Sequence, residues 1–255
     1  MKFISLIVLF AALWGANVHA SLLDEIQVYT DDINQPGEMG MELHINTTPK
    51  GITRPSYPGE VVNHGGLRIT PEISYGLTPT TDVGLYIPMV RAGDGQWFAA
   101  GAKLRFKWLP VQPQTHDGWF SGVNFELSQI QTRFSESARA LEVRSILGWK
   151  NAQWLLAINP ILAWDLSPGF NQSVPELTLS TKVSRQMTES VAWGLEYYNG
   201  RGRLNNMLVN PLQEKAVYVV LDYEGHPFNF NVGIGKGLTS VTDTWTVKGI
   251  VDFPF

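Results

Sequence analysis

The chain has no cysteine among its 255 residues, which removes disulfides, thiol nucleophiles and zinc–thiolate centres. A basic surplus is also lacking. The formal net charge is −4 and the isoelectric point near 5.7, against what broad nucleic-acid binding requires. There is no low-complexity tract and no block of like charge. Beyond residue 21 the sequence has no amphipathic helical stretch and no apolar run long enough to cross a bilayer as a helix. Mean hydropathy is −0.05, so an average over the chain would not mark it as a membrane protein.

The longest apolar run is N-terminal. "MKFISLIVLFAALWGANVHA" combines Lys2, an apolar stretch from Phe3 to about Trp14, and the small-residue site Val18-His19-Ala20. This is the layout of a secretory signal peptide. Residues 1–20 are expected to be cleaved near Ala20, leaving Ser21 as the mature start. Residues 21–36 then form a periplasmic lead-in whose "EIQVYTDD" reads as an extra strand or a plug. Residues 37–255 form one domain.

That domain alternates with period two throughout. Leu67, Ile69, Ile73, Tyr75 and Leu77 oppose Arg68, Thr70, Glu72, Ser74 and Gly76. Phe98, Ala100, Ala102, Leu104, Phe106 and Trp108 oppose Gly101, Lys103, Arg105 and Lys107. Later segments repeat the pattern up to Trp245, Val247, Val251, Phe253 and Phe255 against Thr246, Lys248 and Asp252. About twelve strands result, many approaching the ~9–11 residues a tilted strand needs to cross a bilayer. Pro79-Thr80-Thr81, Asn151-Ala152-Gln153 and Gly225-His226-Pro227 read as tight turns, and longer links lie between them.

Alternation alone does not say which face is dry. The polar face mixes acids and bases with glycine and asparagine, a poor soluble surface but a suitable lumen. The apolar face carries no charge in these segments, and Trp and Tyr gather near strand ends as interfacial girdles do. The expected fold is all-β: a closed antiparallel transmembrane β-barrel of about 12 strands. Closure is required because lipid offers no partner to a free strand edge. A soluble periplasmic barrel is the alternative.

Glu42, His44, Arg68, Glu72, Lys103, Arg105, Lys107, Glu126 and Arg144 are the candidate lumen residues. Lys103, Arg105 and Lys107 share one strand face, a positive stripe that either neutralises facing acids or favours anionic solutes. His44, His64, His116 and His226 are the histidines considered for lipid-modifying Ser–His chemistry, but neither a nucleophile elbow nor HExxH occurs. Glu72 and Glu126 read as ion-pair partners of Arg68, Lys103 or Arg105 rather than an acid–base pair. No His/Asp cluster has metal-ligand spacing, so no metal or cofactor is expected. "Gly-Ile-Gly-Lys-Gly" at 233–237 lacks Walker spacing and a following helix.

The ending resembles the C-terminal insertion signal of Gram-negative outer-membrane proteins, carried by Trp245, Val247, Val251, Phe253 and Phe255. That resemblance implies recognition by the barrel assembly machinery. "PEISYGLTPTTDVGLYIPM" and "GIGKGLTSVTDTWTVKGIVDFPF" resemble the outer-membrane barrels grouped with the MetA-pathway phenol-degradation family; this implies a transport-like role and transfers no site residue. The expected protein is therefore a porin-like barrel of the cell outer membrane, in contact with its lipid, passing or binding small solutes and not nucleic acid. A closed structural barrel that binds through its loops is the alternative. A lipid-modifying enzyme comes third; an enzyme is the less expected class.

Overall fold

The computed structural model describes residues 24–113, 117–170 and 174–254. Twelve strands form one antiparallel sheet. They are β1 (Met39–Lys50), β2 (Leu67–Thr78), β3 (Thr81–Tyr86, resuming at Met89–Arg91), β4 (Trp97–Ala99, resuming at Gly101–Val111), β5 (Gly118–Ile130) and β6 (Arg139–Lys150). The second half comprises β7 (Trp154–Asp165), β8 (Glu176–Gln186), β9 (Val191–Arg203), β10 (Glu214–Tyr223), β11 (Asn229–Gly237) and β12 (Trp245–Pro254). Each strand pairs with the next, and β12 returns to β1 in a register running from Gly40 opposite Pro254 to Lys50 opposite Trp245. The sheet is a closed barrel without a free edge, as lipid requires.

Strand ends at one rim are joined by short turns at 79–80, 151–153 and 187–190. Loops 51–66, 131–138 and 204–213 lie at the other rim, with the described residues 166–170 and 174–175 of the connection after β7. The faces are inverted relative to a soluble barrel. Outward, Leu104, Ile234 and Val219 are 59%, 58% and 52% exposed; inward, His44, Arg68, Arg105, Asn124, Glu196 and Lys248 are buried. Solvent-like exposure of large aliphatics around the whole wall, with charge inside, is the signature of a lipid-facing barrel. Trp108, Trp119, Trp154 and Trp193 lie outward near the short-turn rim, Trp97 and Trp245 near the loop rim. Arg185 and Lys236, outward near opposite rims, stack over Trp154 and Trp245. Cations on the lipid side thus sit where an interface lets them reach water.

One expected face is corrected. Phe98 and Ala100 do not share the lipid face with Ala102 and Leu104. Ala100 is buried, and Phe98 packs edge-on against Phe134 in the same inward apolar cluster. The phase flips at Gly101, whose φ of +152° lies at an irregularity in β4; a Cβ there would meet the Gln129 carbonyl at 2.0 Å. A side chain is excluded, and the extra residue turns everything N-terminal to it over.

Candidate functional site

The nine candidate lumen residues all lie on inward positions. His44, Arg68, Glu72, Arg105, Glu126 and Arg144 are buried, and Glu42, Lys103 and Lys107 are partly so. Their grouping follows strand register. Arg105 on β4 forms an ion pair through Nε with Glu72 Oε1 on β2 (2.7 Å) and donates from Nη1 to Asp82 Oδ1 on β3 (2.9 Å). Lys107 lies 3.7 Å from the other oxygen of Asp82. Further round, Lys182 pairs with Asp222 (2.7 Å), and Lys248 with Glu196 (2.5 Å). Within a low-dielectric wall such pairs are strongly coupled, and removing one member strands the other.

Two pairing expectations change. Arg68 bonds Asn63 of loop 51–66. Asn63 in turn donates to Asp243 Oδ2 (3.0 Å), and Asp243 Oδ1 accepts the Ile52 amide, so this arginine braces a loop. Glu126 accepts from Asn124 Nδ2 (2.8 Å) and Tyr29 Oη (3.3 Å) instead of an arginine. His64 Nδ1 accepts the Gly51 amide, a structural role. His116 lies outside the described residues. His44 lies between Glu42 and Glu72, at 3.6 and 3.7 Å.

Much of the remaining lumen is occupied by the stretch before β1. The residues expected as a periplasmic lead-in are described from Asp24, and from there the segment runs inside the barrel in extended form, without joining the sheet. Asp24, Ile26, Val28 and Tyr29 are buried. At the loop-side end, the Asp24 carboxylate pairs with Lys103 (2.6 Å), and its carbonyl accepts from Asn46 Nδ2 (3.0 Å). Lys248 Nζ donates to the Ile26 carbonyl (2.9 Å), and Arg144 Nη1 to the Gln27 carbonyl (3.2 Å).

Tyr29 is the centre of this arrangement. Its amide donates to Asn159 Oδ1 (2.7 Å) and its carbonyl accepts from Asn159 Nδ2 (3.1 Å), while its hydroxyl bonds Tyr86 (2.9 Å). The ring lies under the Arg144 guanidinium at 4.3 Å. One residue thus bridges β3, β5, β6 and β7 across the lumen. Beyond it Asp31 pairs with Lys150. Burial, and the charge of Asp32 beside it, raise the Asp31 carboxyl above its ordinary range, and Lys150 pulls it back. The segment leaves at the short-turn rim, where Asn34 Nδ2 bonds Ser74 Oγ (2.7 Å). There Gly76 lies so close that a Cβ would meet the Gln35 carbonyl at 2.0 Å.

The segment also has an apolar footing. Val28 and Tyr29 pack with Leu109, Phe120, Ile146 and Ala157, and Ile26 with Tyr218 and Val220. These wall residues point inward, an anomaly for a water-filled pore that the segment resolves by covering them. Period two shows which way each points, but only the fold shows what covers it. Above, loops 51–66 and 131–138, with Phe170, border a cleft of about 470 Å³ lined also by Tyr57, Val61, Arg133 and Glu136. Burial and the nearby Glu60 and Glu136 raise the Tyr57 phenol well above its ordinary value.

No protein-family model matches the chain, and no curated protein matches it by sequence. Solved structures match it in fold. The COG4313 outer membrane channel from Pseudomonas putida F1 superposes with a TM-score of 0.58 at 9% identity, over 91% of this chain and 100% of that one. The KdgM porin gives 0.54 at 10% identity, over 85% and 99%. The NanC porin gives 0.51 at 8% identity, over 85% and 98%. At such identities the likeness is one of fold, and the inverted faces and closed register agree with it. The chain is a closed β-barrel of twelve antiparallel strands with an apolar outer wall, the fold of these outer-membrane channels.

Proposed function

We propose that the protein is a solute channel of the outer membrane whose resting lumen is occupied by its own residues 24–38. One observation carries this reading: the segment spans the lumen through ion pairs, amide clamps and a small apolar contact, without a single ladder of strand hydrogen bonds. Each of the polar contacts has a ready substitute in water, so displacement gives up the apolar contact and leaves a largely polar, hydrated lumen. A permanent filling would more naturally be built into the wall. The similarity in fold to a COG4313 channel and to KdgM and NanC porins supports the same reading.

The segment also sets the charge of the open pore. Asp24, Glu25 and Asp31 neutralise Lys103, Arg144 and Lys150. Withdrawing the segment removes these acids together with Asp32, leaving Lys103 and Lys150 facing water and Arg144 with Glu142 as its carboxylate partner, so the open state favours small anionic solutes. In the resting state the stripe Lys103–Arg105–Lys107 is neutralised by Asp24, Glu72 and Asp82.

The test is conductance in a planar bilayer. The mature chain is compared with one lacking residues 21–37, each confirmed as folded by heat-modifiable gel migration. The shortened barrel should conduct continuously and prefer chloride to potassium; adding Lys103→Gln and Lys150→Gln should reduce that preference. A folded, shortened barrel that conducts no better than the full one would favour a closed structural barrel that binds through its loops.

A further inference from the structure

We propose that Glu42, His44 and Glu72 form a binding site for one divalent transition-metal ion, with zinc the ion that best fits the donors. Glu42 and His44 stand two residues apart on β1 and so share its inward face. Glu72 on β2 is the direct cross-strand partner of Glu42. One donor atom from each residue lies within 4.8 Å of the other two.

Three features favour a cation here. First, two carboxylates placed directly opposite on adjacent strands repel each other. Arg105 relieves only part of this: it takes Oε1 of Glu72 and spends its other arm on Asp82. Second, Glu42 Oε2 and both ring nitrogens of the fully buried His44 have no hydrogen bond. A buried imidazole with neither nitrogen satisfied is costly, and a bound cation would satisfy one of them. Third, the spacing suits a metal. His44 Nε2 lies 3.6 Å from Glu42 Oε2 and 3.7 Å from Glu72 Oε2. Both exceed the ~2.7–3.2 Å of a hydrogen bond. Tetrahedral zinc with ligands at ~2.0–2.2 Å holds them roughly 3.3–3.5 Å apart, a small contraction from what is seen.

The donor set also narrows the choice of ion. One imidazole with two carboxylates suits zinc better than calcium or magnesium, which take oxygen ligands. The Glu42 side chain is 30% exposed, against 0% for His44 and 4% for Glu72, so the ion enters past Glu42 and finds two fixed ligands behind it. Glu25 of the lumen segment is a further electrostatic neighbour of His44, and neither of its carboxylate oxygens has a hydrogen bond. Its ion pair with Arg144 at 3.6 Å offsets part of its negative potential. Arg105 and Lys107 act against the ion, and measurement decides the balance.

The mature barrel, refolded in non-ionic detergent and stripped with chelator, is dialysed against zinc chloride and its metal content is measured. It should retain about one zinc per chain. Glu42→Gln should weaken binding at least about tenfold, and His44→Gln should abolish it, with folded gel migration retained. A folded wild-type barrel that keeps no zinc overturns the proposal; so do folded variants that keep as much zinc as wild type. Should the variants not fold, zinc-edge X-ray absorption on wild type decides: one imidazole among oxygen donors supports the site, and a shell with no imidazole or several refutes it.

Discussion

Asn159→Ala tests whether the lumen segment is a displaceable occupant. Asn159 is completely buried on the inward face of β7, and both ends of its amide are committed to Tyr29, one to the main-chain N–H and one to the carbonyl. Alanine removes both bonds while leaving the strand's own ladder intact. Each bond is worth about 0.5–1.5 kcal/mol net, because water can replace it in a polar lumen. Together they favour the occupied state by about 1–3 kcal/mol, a factor of roughly 5–150 in the equilibrium between occupied and open. If the open state holds about 0.1–1% of molecules in wild type, the variant should raise it to between under one per cent and more than half. Single-channel recording reads this directly as open probability, and the rise should come from more frequent openings without a change in unitary conductance. An Asn159→Ala barrel that folds normally and opens no more often than wild type would refute the view that these bonds hold the segment.

The remaining predictions concern the wall and its assembly. Leu104→Arg places a cation on the lipid face at mid-strand, where the residue is 59% exposed and flanked by Leu85 and Leu127; it should cost about 2–4 kcal/mol in urea unfolding from lipid vesicles, against about 0–1 for Val111→Arg near the rim. Equal costs at the two positions would contradict a lipid-facing wall. Arg105→Gln leaves Glu72 and Asp82 without their shared partner and should lower stability by about 3–5 kcal/mol, with Arg105→Lys restoring only part because it cannot reach both carboxylates at once. An unchanged unfolding midpoint would show that water already solvates this cluster. Phe253→Ala together with Val251→Ala should slow insertion by the assembly machinery while leaving the refolded barrel nearly as stable, since the two residues are the terminal outward positions of β12; loss of stability without loss of insertion rate would assign them to packing alone.

The architecture was largely legible in sequence because one physical rule governs most of the chain. A strand between lipid and lumen must alternate, so Leu67 to Leu77 or Val217 to Tyr223 could be assigned to faces without knowing their neighbours. The rule failed where the backbone departs from a strand. At Gly101 a change of phase turned Phe98 and Ala100 inward, and glycine content alone does not locate such a point. The site was less legible than the wall. That Glu72 and Arg105 both point inward followed from parity, but that they touch depends on the stagger of β2, β3 and β4, which no local pattern contains. The same holds for Glu42, His44 and Glu72, whose donors belong to two strands and show no ligand spacing along the chain.

One signal for the lumen segment was present in the sequence and needed only a second physical condition to be read. Leu109, Phe120, Ile146 and Val220 occupy inward positions although each is a large apolar residue. Lipid cannot reach the inner face, and exposing four such side chains to lumen water would forfeit roughly 1.5–3 kcal/mol each relative to burial. An inward apolar patch in an otherwise charged lumen therefore requires an apolar cover. Outside the strands, the described chain before β1 offers Ile26, Val28 and Tyr29 set among Asp24, Glu25, Gln27 and Asp31. That composition suits both halves of the interior: the apolar members pack on the patch, and the acids reach Lys103, Arg144 and Lys150 around it. The match also limits how firmly the segment is held. Its apolar contact is the main cost of release, while its charges have water as an alternative partner, so the barrel can be closed in one state and passable in another without any rearrangement of its wall.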